Sequence, residues 1–384
     1  MLQDYFETYV RNYKYYKGGA WCYEDGCLYR GLITLYEATG DDRWLDHLIR
    51  LVGGQIDASG RLAGYEIEEF NIDNILAGRA LVFLYRQTDE TAWLDAATAL
   101  ARQLETHPRT ESDVYWHKLR YPHQIWLDGL YMALPFKVEY ARATSRPDMV
   151  DETLRQFLTA LDLTYDQATG LYRHGYDESR QQSWADAESG LSPAHWGRSI
   201  GWLAMAFVDI IESLPFGPAR QELADRASAL ASRLLTLRTP DHRWLQVIDR
   251  PDQARNYPES SATAMFSYFL QKLARLTESA YAYAGRTALQ SLVEHELRPA
   301  PDGMIKLHNV CCVAGLGGFN GRYRDGTVEY YLSEEIRPDD IKGVGPLMMA
   351  YAETKRDTQS KHTIGKEDGG KGKGKVELST TAER

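Results

Sequence analysis

The sequence has few of the features that define several large classes of protein. Its 384 residues include only four cysteines, Cys22, Cys27, Cys311 and Cys312. Their spacing matches neither a zinc ribbon nor a redox Cys-x-x-Cys pair, and so few thiols argue against a disulfide scaffold. We therefore expect free, buried cysteines in a reducing compartment, which favours the cytoplasm.

Long apolar segments and an excess of positive charge are also missing. No stretch approaches the roughly 18 apolar residues of a membrane-spanning helix, and the first residues lack the basic and apolar regions of a secretory signal. The 44 basic and 54 acidic residues give a formal net charge of −10, whereas nucleic-acid surfaces are basic. Membrane and nucleic-acid partners are therefore not expected. The composition does not indicate an oligomeric state.

Motifs for cofactors are equally scarce. No segment has a metal-ligand spacing, a Gly-rich phosphate loop or a nucleophile elbow, so we expect neither a metal nor a cofactor. Aromatic residues, in contrast, are abundant, with 25 Tyr, 9 Trp and 10 Phe. We expect most of them to pack helices and some to stack on a sugar-like ligand.

A helical hairpin recurs along the chain with a period of roughly 50 residues. Residues 31–46 read GLITLYEATGDDRWLD, residues 80–95 read ALVFLYRQTDETAWLD, and a weaker copy covers 140–151. In each copy, apolar residues at three- and four-residue spacing predict a helix, a short polar turn and a second helix. Further helices are predicted at 3–16, 197–213, 219–238, 258–277, 279–297 and 345–354.

Such repeats suit either an open solenoid or a closed ring. Solenoids keep short, regular loops, whereas the connections here are long and rich in Trp, Tyr, His and Gly, as loops with a function often are. We therefore predict an all-α fold, a closed α/α barrel that forms a single domain over residues 1–355. The Lys- and Gly-rich residues 356–384 lack apolar periodicity, and we expect a disordered polar tail there.

Two aspartates are distinct from this helical background. Asp73 precedes an apolar helix, and Asp128 lies in one of the most apolar and aromatic segments of the chain. Capping of a helix N-terminus is the ordinary role of such residues, but Trp126 and Tyr131 crowd Asp128 more than a cap requires. Burial among aromatic rings raises the pKa of a carboxyl group and a helix N-terminus lowers it, so a cap and a general acid both stay open.

Cationic and aromatic side chains accompany these aspartates. Lys118, His174 and Arg198 all lie in aromatic segments of an otherwise acidic chain, which predicts a local positive potential suited to a ligand with a carboxylate. Trp196 and Trp202 are six residues apart, off a single helical stripe, so one can face the core and the other a pocket.

In combination and order, these segments resemble the unsaturated rhamnogalacturonyl hydrolases of glycoside hydrolase family 105. The resemblance covers roughly residues 1–355, and many members have Trp-x-Arg-Gly-Asn where this chain has Ser199-Ile200 after the arginine, which leaves the sugar preference open. The motifs that carry it are Trp126-x-Asp128-Gly129, His174-Gly-Tyr-Asp177, Trp196-x-Arg198, Glu259-Ser-Ser-Ala262, residues 321–331 and Gly343-Val-Gly345-Pro346.

The resemblance implies an (α/α)6 barrel whose substrate is a small oligosaccharide, an unsaturated disaccharide from pectin with a 4,5-unsaturated uronic acid at its non-reducing end. In this family an aspartate protonates C4 of the enol ether and activates water for addition at C5. By motif, that acid/base falls on Asp128 and a second active-site carboxylate on Asp73. The positions that line the family's substrate site fall on His174, Lys118, Trp196, Arg198 and Trp202.

Two alternatives accompany this interpretation. A sibling hydrolase would act on unsaturated glucuronyl ends of glycosaminoglycan- or ulvan-type fragments. A carbohydrate-binding relative would have lost catalysis, although the presence of both Asp128 and Asp73 argues against that.

Overall fold

The computed structural model is a ring of paired helices around one axis. It describes the backbone of residues 2–367 and the side chains of residues 2–356. The helices are α1 (Leu2–Asn12), α2 (Tyr23–Thr39), α3 (Asp42–Gly53), α4 (Gly78–Thr88), α5 (Thr91–Thr106), α6 (Leu127–Ala143), α7 (Pro147–Thr164), α8 (Gly197–Ser213), α9 (Pro218–Thr236), α10 (Ser260–Thr277), α11 (Tyr281–Glu296), α12 (Val328–Tyr331) and α13 (Ile341–Glu367). The strands are β1 (Gln124–Trp126), β2 (Tyr165–Asp166), β3 (Leu171–Tyr172), β4 (Gly175–Asp177), β5 (Leu297–Pro299), β6 (Ile305–Leu307), β7 (Gly317–Phe319) and β8 (Arg322–Arg324), paired antiparallel as β1–β4, β2–β3, β5–β6 and β7–β8.

Within the described residues, six helices form an inner ring: α2, α4, α6, α8, α10 and α13. Each packs on the next, and α13 packs on α2 to close the ring. Helices α3, α5, α7, α9 and α11 each pack on the inner helix that precedes them. Helix α1 completes the outer layer, because Phe6 contacts Tyr351 of α13 with their ring centroids 5.7 Å apart. The predicted (α/α)6 barrel is confirmed.

Burial explains the difference between inner and outer helices. Residues 197–211 of the inner helix α8 are buried without interruption, whereas the outer helix α3 buries only one face, which includes Trp44, Leu48 and Val52. A helix that is apolar on all sides belongs inside the ring, and an amphipathic one belongs outside it. The predicted hairpins at 31–46, 80–95 and 140–151 are accordingly α2–α3, α4–α5 and α6–α7.

Two of the predicted elements at the chain ends have different bounds. Helix α1 ends at Asn12 rather than near residue 16. Helix α13 starts before the predicted residue 345 and continues to Glu367, so the backbone of the first part of the predicted tail is helical. The ion pair of Arg356 with Glu37 of α2, at 2.6 Å, holds that part of the helix against the barrel. Residues 368–384 of the predicted tail lie outside the described residues.

Two expectations from composition concern thiols and membranes. All four cysteines are free and buried, as expected. Among the helices that the structure describes, none combines the length and the hydropathy that crossing a bilayer requires.

Charged side chains from all six inner helices line a cavity of about 150 Å³, and the most deeply buried one on each helix belongs to a central group. These residues are Arg30, Arg79, Glu139, Asp209, Lys272 and Glu353. Buried Asp209 accepts hydrogen bonds from Arg79 Nη1 and Lys272 Nζ, both at 2.7 Å. Burial alone would raise the pKa of Asp209, but Lys272 and Arg79 outweigh it and hold that pKa far below its usual range. We refer to these six residues as the axial charge cluster.

Replacing Asp209→Asn is expected to lower the free energy of unfolding by about 3–5 kcal/mol, because Arg79 and Lys272 lose the fully buried carboxylate that they share and keep only Glu139 and Glu212 as partners. Denaturant unfolding at a series of pH values measures the effect. Because the folded pKa is depressed, the stabilisation is present above the unfolded pKa of about 3.9 and is lost as the pH falls towards the folded value. The control Asp162→Asn removes an exposed 2.6 Å ion pair with Arg226 and should cost less than about 1 kcal/mol; equal losses in both variants would contradict the prediction.

Candidate active site

A cavity of about 240 Å³ lies at the end of the barrel where inner helices begin. Its wall includes Glu24, Asp128 and Lys342, each the second residue of α2, α6 or α13, and Asp73 from the 3-10 turn Ile72–Ile75 just before α4. Peptide dipoles leave partial positive charge at helix N-termini. This end of the barrel therefore favours an anionic ligand.

Charged side chains in the wall strengthen that preference. Among the described residues that line the cavity, five are cationic and three are carboxylates: Lys17, Lys118, Arg120, Arg324 and Lys342, with Glu24, Asp73 and Asp128. The aromatic part of the wall consists of Tyr16, Tyr23, Tyr121, Trp126 and Phe319. A locally basic, aromatic site thus exists in a chain whose net charge is −10.

Asp73 forms the tightest ion pair of the cavity wall. Its Oδ2 lies 2.5 Å from Lys118 Nζ, and an antiparallel bridge between Asn71 and Lys118 brings the two segments together. Burial alone would raise the pKa of Asp73, but Lys118 outweighs it and the pKa lies below its usual range. Asp73 is therefore an ionised carboxylate with a fixed partner.

Asp128 is positioned by a short strand pair. Strand β1 leads into α6 and pairs with β4 in the register Trp126 with Gly175, and the Leu127 amide donates to the His174 carbonyl at 3.0 Å. A Cβ atom at position 175 would lie 2.5 Å from Leu316 Cδ1, so any other residue there would require Leu316 to move. The pairing carries His174 to Asp128.

A chain of three side chains runs from the cavity into the protein interior. His174 Nε2 lies 3.0 Å from Asp128 Oδ2, although the two groups are not aligned for a hydrogen bond. On its other side, His174 Nδ1 lies 2.7 Å from the Tyr331 hydroxyl. Burial raises the pKa of Tyr331 well above its usual range, so this hydroxyl keeps its proton and orients the imidazole.

His117 is a site residue without a sequence signal, since it lies in a loop without periodicity. Its ring stacks on Trp126, with centroids 4.1 Å apart, and its Nε2 lies 3.7 Å from Asp73 Oδ1. Burial lowers the pKa of His117 to about 3. His117 is therefore neutral near pH 7 and supplies shape rather than charge.

The structure brings only part of the predicted site to the cavity. Asp73, Lys118 and Asp128 line it, and His174 contacts Asp128 from behind the wall. Trp196, Arg198 and Trp202 are each at most 2% exposed and do not line the cavity. These three residues therefore lie behind the cavity surface in this structure, and their contact with a sugar stays a prediction.

Arg198 holds a segment of the wall in place. Its guanidinium donates to the carbonyl oxygens of Cys311 and Cys312, the second at 3.2 Å. Val313 and Ala314, which follow directly, line the cavity. The buried arginine satisfies backbone groups that would otherwise lose their hydrogen bonds on leaving water.

The two tryptophans serve packing in different places. Trp196 stacks on Tyr331 at 5.7 Å and contacts His174 at 5.0 Å, so it supports the imidazole. Trp202 of α8 stacks on Tyr131 of α6 at 5.2 Å, between two inner helices. One therefore supports the site indirectly, and the other belongs to the core.

Arg120 is a cation in the cavity wall, and no feature of the sequence indicates this position. The β7–β8 hairpin sets Phe319 near it, and its guanidinium lies 5.1 Å from that ring and 5.3 Å from the ring of Tyr121. Arg120 is exposed and makes no hydrogen bond or ion pair with any described residue. Arg324 beside it is already engaged, since it donates to the Tyr121 hydroxyl at 2.8 Å. Arg120 is thus open to an anionic group of a ligand.

The arrangement suits proton transfer. Asp128 and an ionised Asp73 share one cavity, as general acid–base chemistry on a bound molecule requires. Within the described chain, no group of three or more His, Cys, Asp or Glu side chains is arranged to hold a metal ion.

Residues 3–358 match the sequence profile of Glycosyl Hydrolase Family 88. The chain belongs to this family. It is 35% identical to a solved glycoside hydrolase from family 105 of C. acetobutylicum, with a TM-score of 0.85 over 93% of this chain and 98% of that chain. The family 105 resemblance of the motifs is thereby confirmed, and the protein is a glycoside hydrolase.

Two relatives are also similar over long stretches. Protein Atu3128 of Agrobacterium fabrum is 50% identical over 229 residues, which cover 58% of this chain and 98% of that protein. The unsaturated rhamnogalacturonyl hydrolase YesR of Bacillus subtilis is 27% identical over 290 residues, which cover 73% of this chain and 78% of that protein.

Replacing Trp202→Phe is expected to lower the free energy of unfolding by about 1–3 kcal/mol through the cavity it leaves. The KM for an oligosaccharide substrate should stay within about twofold, because Trp202 does not contact the cavity. The matched variant Trp126→Phe, at the cavity wall, should raise KM. Denaturant unfolding measures the stability of both variants, and steady-state kinetics measures their KM. A raised KM with unchanged stability in Trp202→Phe would indicate that Trp202 contacts the substrate.

Proposed function

We propose that the protein releases the 4,5-unsaturated uronic acid from the non-reducing end of pectin-derived, unsaturated rhamnogalacturonan disaccharides, with Asp128 as the acid/base. The observation that carries this proposal is the position of Asp128 in a locally basic cavity, beside His174 at 3.0 Å. The name of the 27% identical relative, an unsaturated rhamnogalacturonyl hydrolase, supports the substrate class.

In the proposed reaction, protonated Asp128 gives its proton to C4 of the enol ether, and the electron pair of the C4–C5 double bond forms the new C–H bond. Positive charge develops at C5 and the ring oxygen. The Asp128 carboxylate then takes a proton from water as the water oxygen bonds to C5, which restores the acid. The hemiketal opens by cleavage of the bond between C5 and the ring oxygen, and the hemiacetal left at C1 releases the aglycone as an alcohol.

The surrounding groups have complementary roles in this scheme. Ionised Asp73 supplies fixed negative charge in the cavity where positive charge develops, which is the kind of preorganised electrostatics that lowers a barrier. Lys118 and the exposed Arg120 bind the carboxylate of the uronic acid in this scheme. His174 lies against Asp128 at 3.0 Å on the side away from the substrate. The carboxylate separation rule of retaining and inverting glycosidases does not apply, because C5 rather than the anomeric carbon is attacked.

Replacing Asp128→Asn is expected to lower turnover of unsaturated disaccharides by about 10²- to 10⁴-fold, the usual contribution of a general acid or base. Loss of the ultraviolet absorbance of the conjugated uronate measures turnover, and circular dichroism checks that helix content is unchanged. Asp148→Asn is the matched control, since Asp148 is also the second residue of its helix but is exposed. Activity retained in Asp128→Asn would remove Asp128 from its role.

The same assay with different aglycones separates the proposal from its alternatives. Preference for a rhamnose aglycone supports the rhamnogalacturonan assignment. Preference for a hexosamine or a sulfated aglycone would favour an unsaturated glucuronyl hydrolase of glycosaminoglycan- or ulvan-type fragments. Binding without loss of absorbance on every disaccharide would indicate a catalytically silent relative.

Replacing Arg120→Gln is expected to raise KM for these disaccharides by about tenfold or more, because a hydrogen bond to a charged group contributes about 1.5–3 kcal/mol. The value of kcat should change little, since Arg120 does not contact Asp128. Arg61→Gln, an exposed arginine outside the cavity, is the control and should leave KM unchanged. An unaltered KM in Arg120→Gln would exclude Arg120 from carboxylate binding.

A further inference from the structure

A second groove, rich in tyrosine, lies along α1 beside the catalytic cavity. Its volume is about 380 Å³. Tyr5, Tyr9 and Tyr13 recur every fourth residue, which is the spacing of neighbours on one helix face. Their ring centroids are 6.3 Å apart for the first pair and 5.8 Å for the second. Met304 and Ile305 contribute to the wall of this tyrosine groove.

The three rings are held in place by their hydroxyl groups. Tyr5 donates to Asp339 Oδ1 at 2.6 Å, and Tyr9 donates to the Asp339 carbonyl at 3.1 Å. Tyr13 donates to Asp25 Oδ1 at 2.6 Å. Because these rings are already fixed in one rotamer, the protein would lose little side-chain entropy when a ligand binds to them.

The lining suits a ligand with both flat apolar faces and hydroxyl groups. Met304 and Ile305 are 48% and 40% exposed and so present apolar surface to the groove. Polar Thr8, Asn12 and Lys14 stand beside the tyrosine rings. Pyranose rings present this combination, since their C–H faces stack on aromatic rings and their hydroxyls bind polar groups.

The groove and the catalytic cavity share a wall residue. Tyr16 lines both of them. Its hydroxyl lies 3.3 Å from the Nζ of Lys342, which lines the cavity. The ion-pair partner of Lys342 at 2.8 Å is Asp340, which lines the groove. The groove and the catalytic cavity therefore adjoin each other at Tyr16.

We propose that the tyrosine groove binds the reducing-end sugars of an oligosaccharide whose unsaturated uronic acid occupies the catalytic cavity. The proposal rests on the proposed function for the assignment of the cleaved end. It makes the preferred substrate an unsaturated oligosaccharide longer than a disaccharide, with the disaccharide as the shortest substrate rather than the best one.

The kinetic test compares an unsaturated disaccharide with an unsaturated hexasaccharide of the same repeat. Wild-type kcat/KM is expected to be about tenfold higher for the hexasaccharide, as an additional occupied subsite would give. Tyr9→Leu and Met304→Asp should each remove most of that preference and leave kcat/KM for the disaccharide within about twofold. Tyr283→Leu is the matched control, because Tyr283 is 74% exposed on α11, outside the groove. Met304→Asp changes an exposed side chain and so tests the groove without a risk to folding.

A binding measurement keeps the two proposals separable. Calorimetry with a saturated hexasaccharide, which has no double bond to hydrate, should give binding to the wild type that Tyr9→Leu and Met304→Asp weaken about tenfold. Equal kcat/KM for the disaccharide and the hexasaccharide would overturn the proposal that the groove binds sugars, and it would leave the proposed turnover of disaccharides intact. Saturated-hexasaccharide binding that both variants retain in full would overturn it as well. No turnover of any unsaturated disaccharide, together with binding that the variants lose, would overturn the proposed function and support the groove.

Discussion

The axial charge cluster is the constraint on which the rest of the barrel depends. Each inner helix contributes one charged side chain to it, and charges removed from water are tolerated only when they are paired and hydrogen-bonded. Sliding α8 by one residue would move Asp209 away from Arg79 and Lys272, so Asp209 would lose both of its closest cationic partners. The cluster therefore sets the register of the inner helices, and through that register it sets where their N-termini lie at the catalytic end.

The candidate active site is built in two layers on this frame. Asp73, Lys118, Asp128 and Arg120 form the surface that a substrate would meet. Behind them, buried side chains hold that surface in position, as Tyr331 does for His174 and Arg198 does for the segment after Cys311. The family motifs contain residues of both layers, because a buried support can be as necessary to a site as the group it supports.

Most helices of the fold could be predicted from the local periodicity of apolar residues in the sequence. The helix predicted at 197–213 has those bounds, because its apolar run and its ends are local features. The pairing of α1 with α13 was not predictable in this way, since it joins segments more than 300 residues apart and leaves no local pattern. The same limit applied to Trp202, whose surroundings in sequence are as aromatic as those of Trp126, while only the packing of α8 on α6 decides that it faces the core. His117 and Arg120 lie in a loop, where no period indicates which side chain faces inward.

The sixth helical pair has a consequence for how the protein is made. Five pairs are hairpins of adjacent helices, but the sixth joins α1 to α13, the first and last helices that the structure describes. During synthesis the growing chain is therefore an incomplete ring, with the apolar sides of α2 and α10 exposed at a seam until α13 has left the ribosome. Glu353 and Lys342 arrive with that last helix, so the buried charges and the cavity are completed in the same step. The wall of the cavity therefore stays incomplete in a nascent chain that lacks α13, and we expect turnover only after the ring has closed.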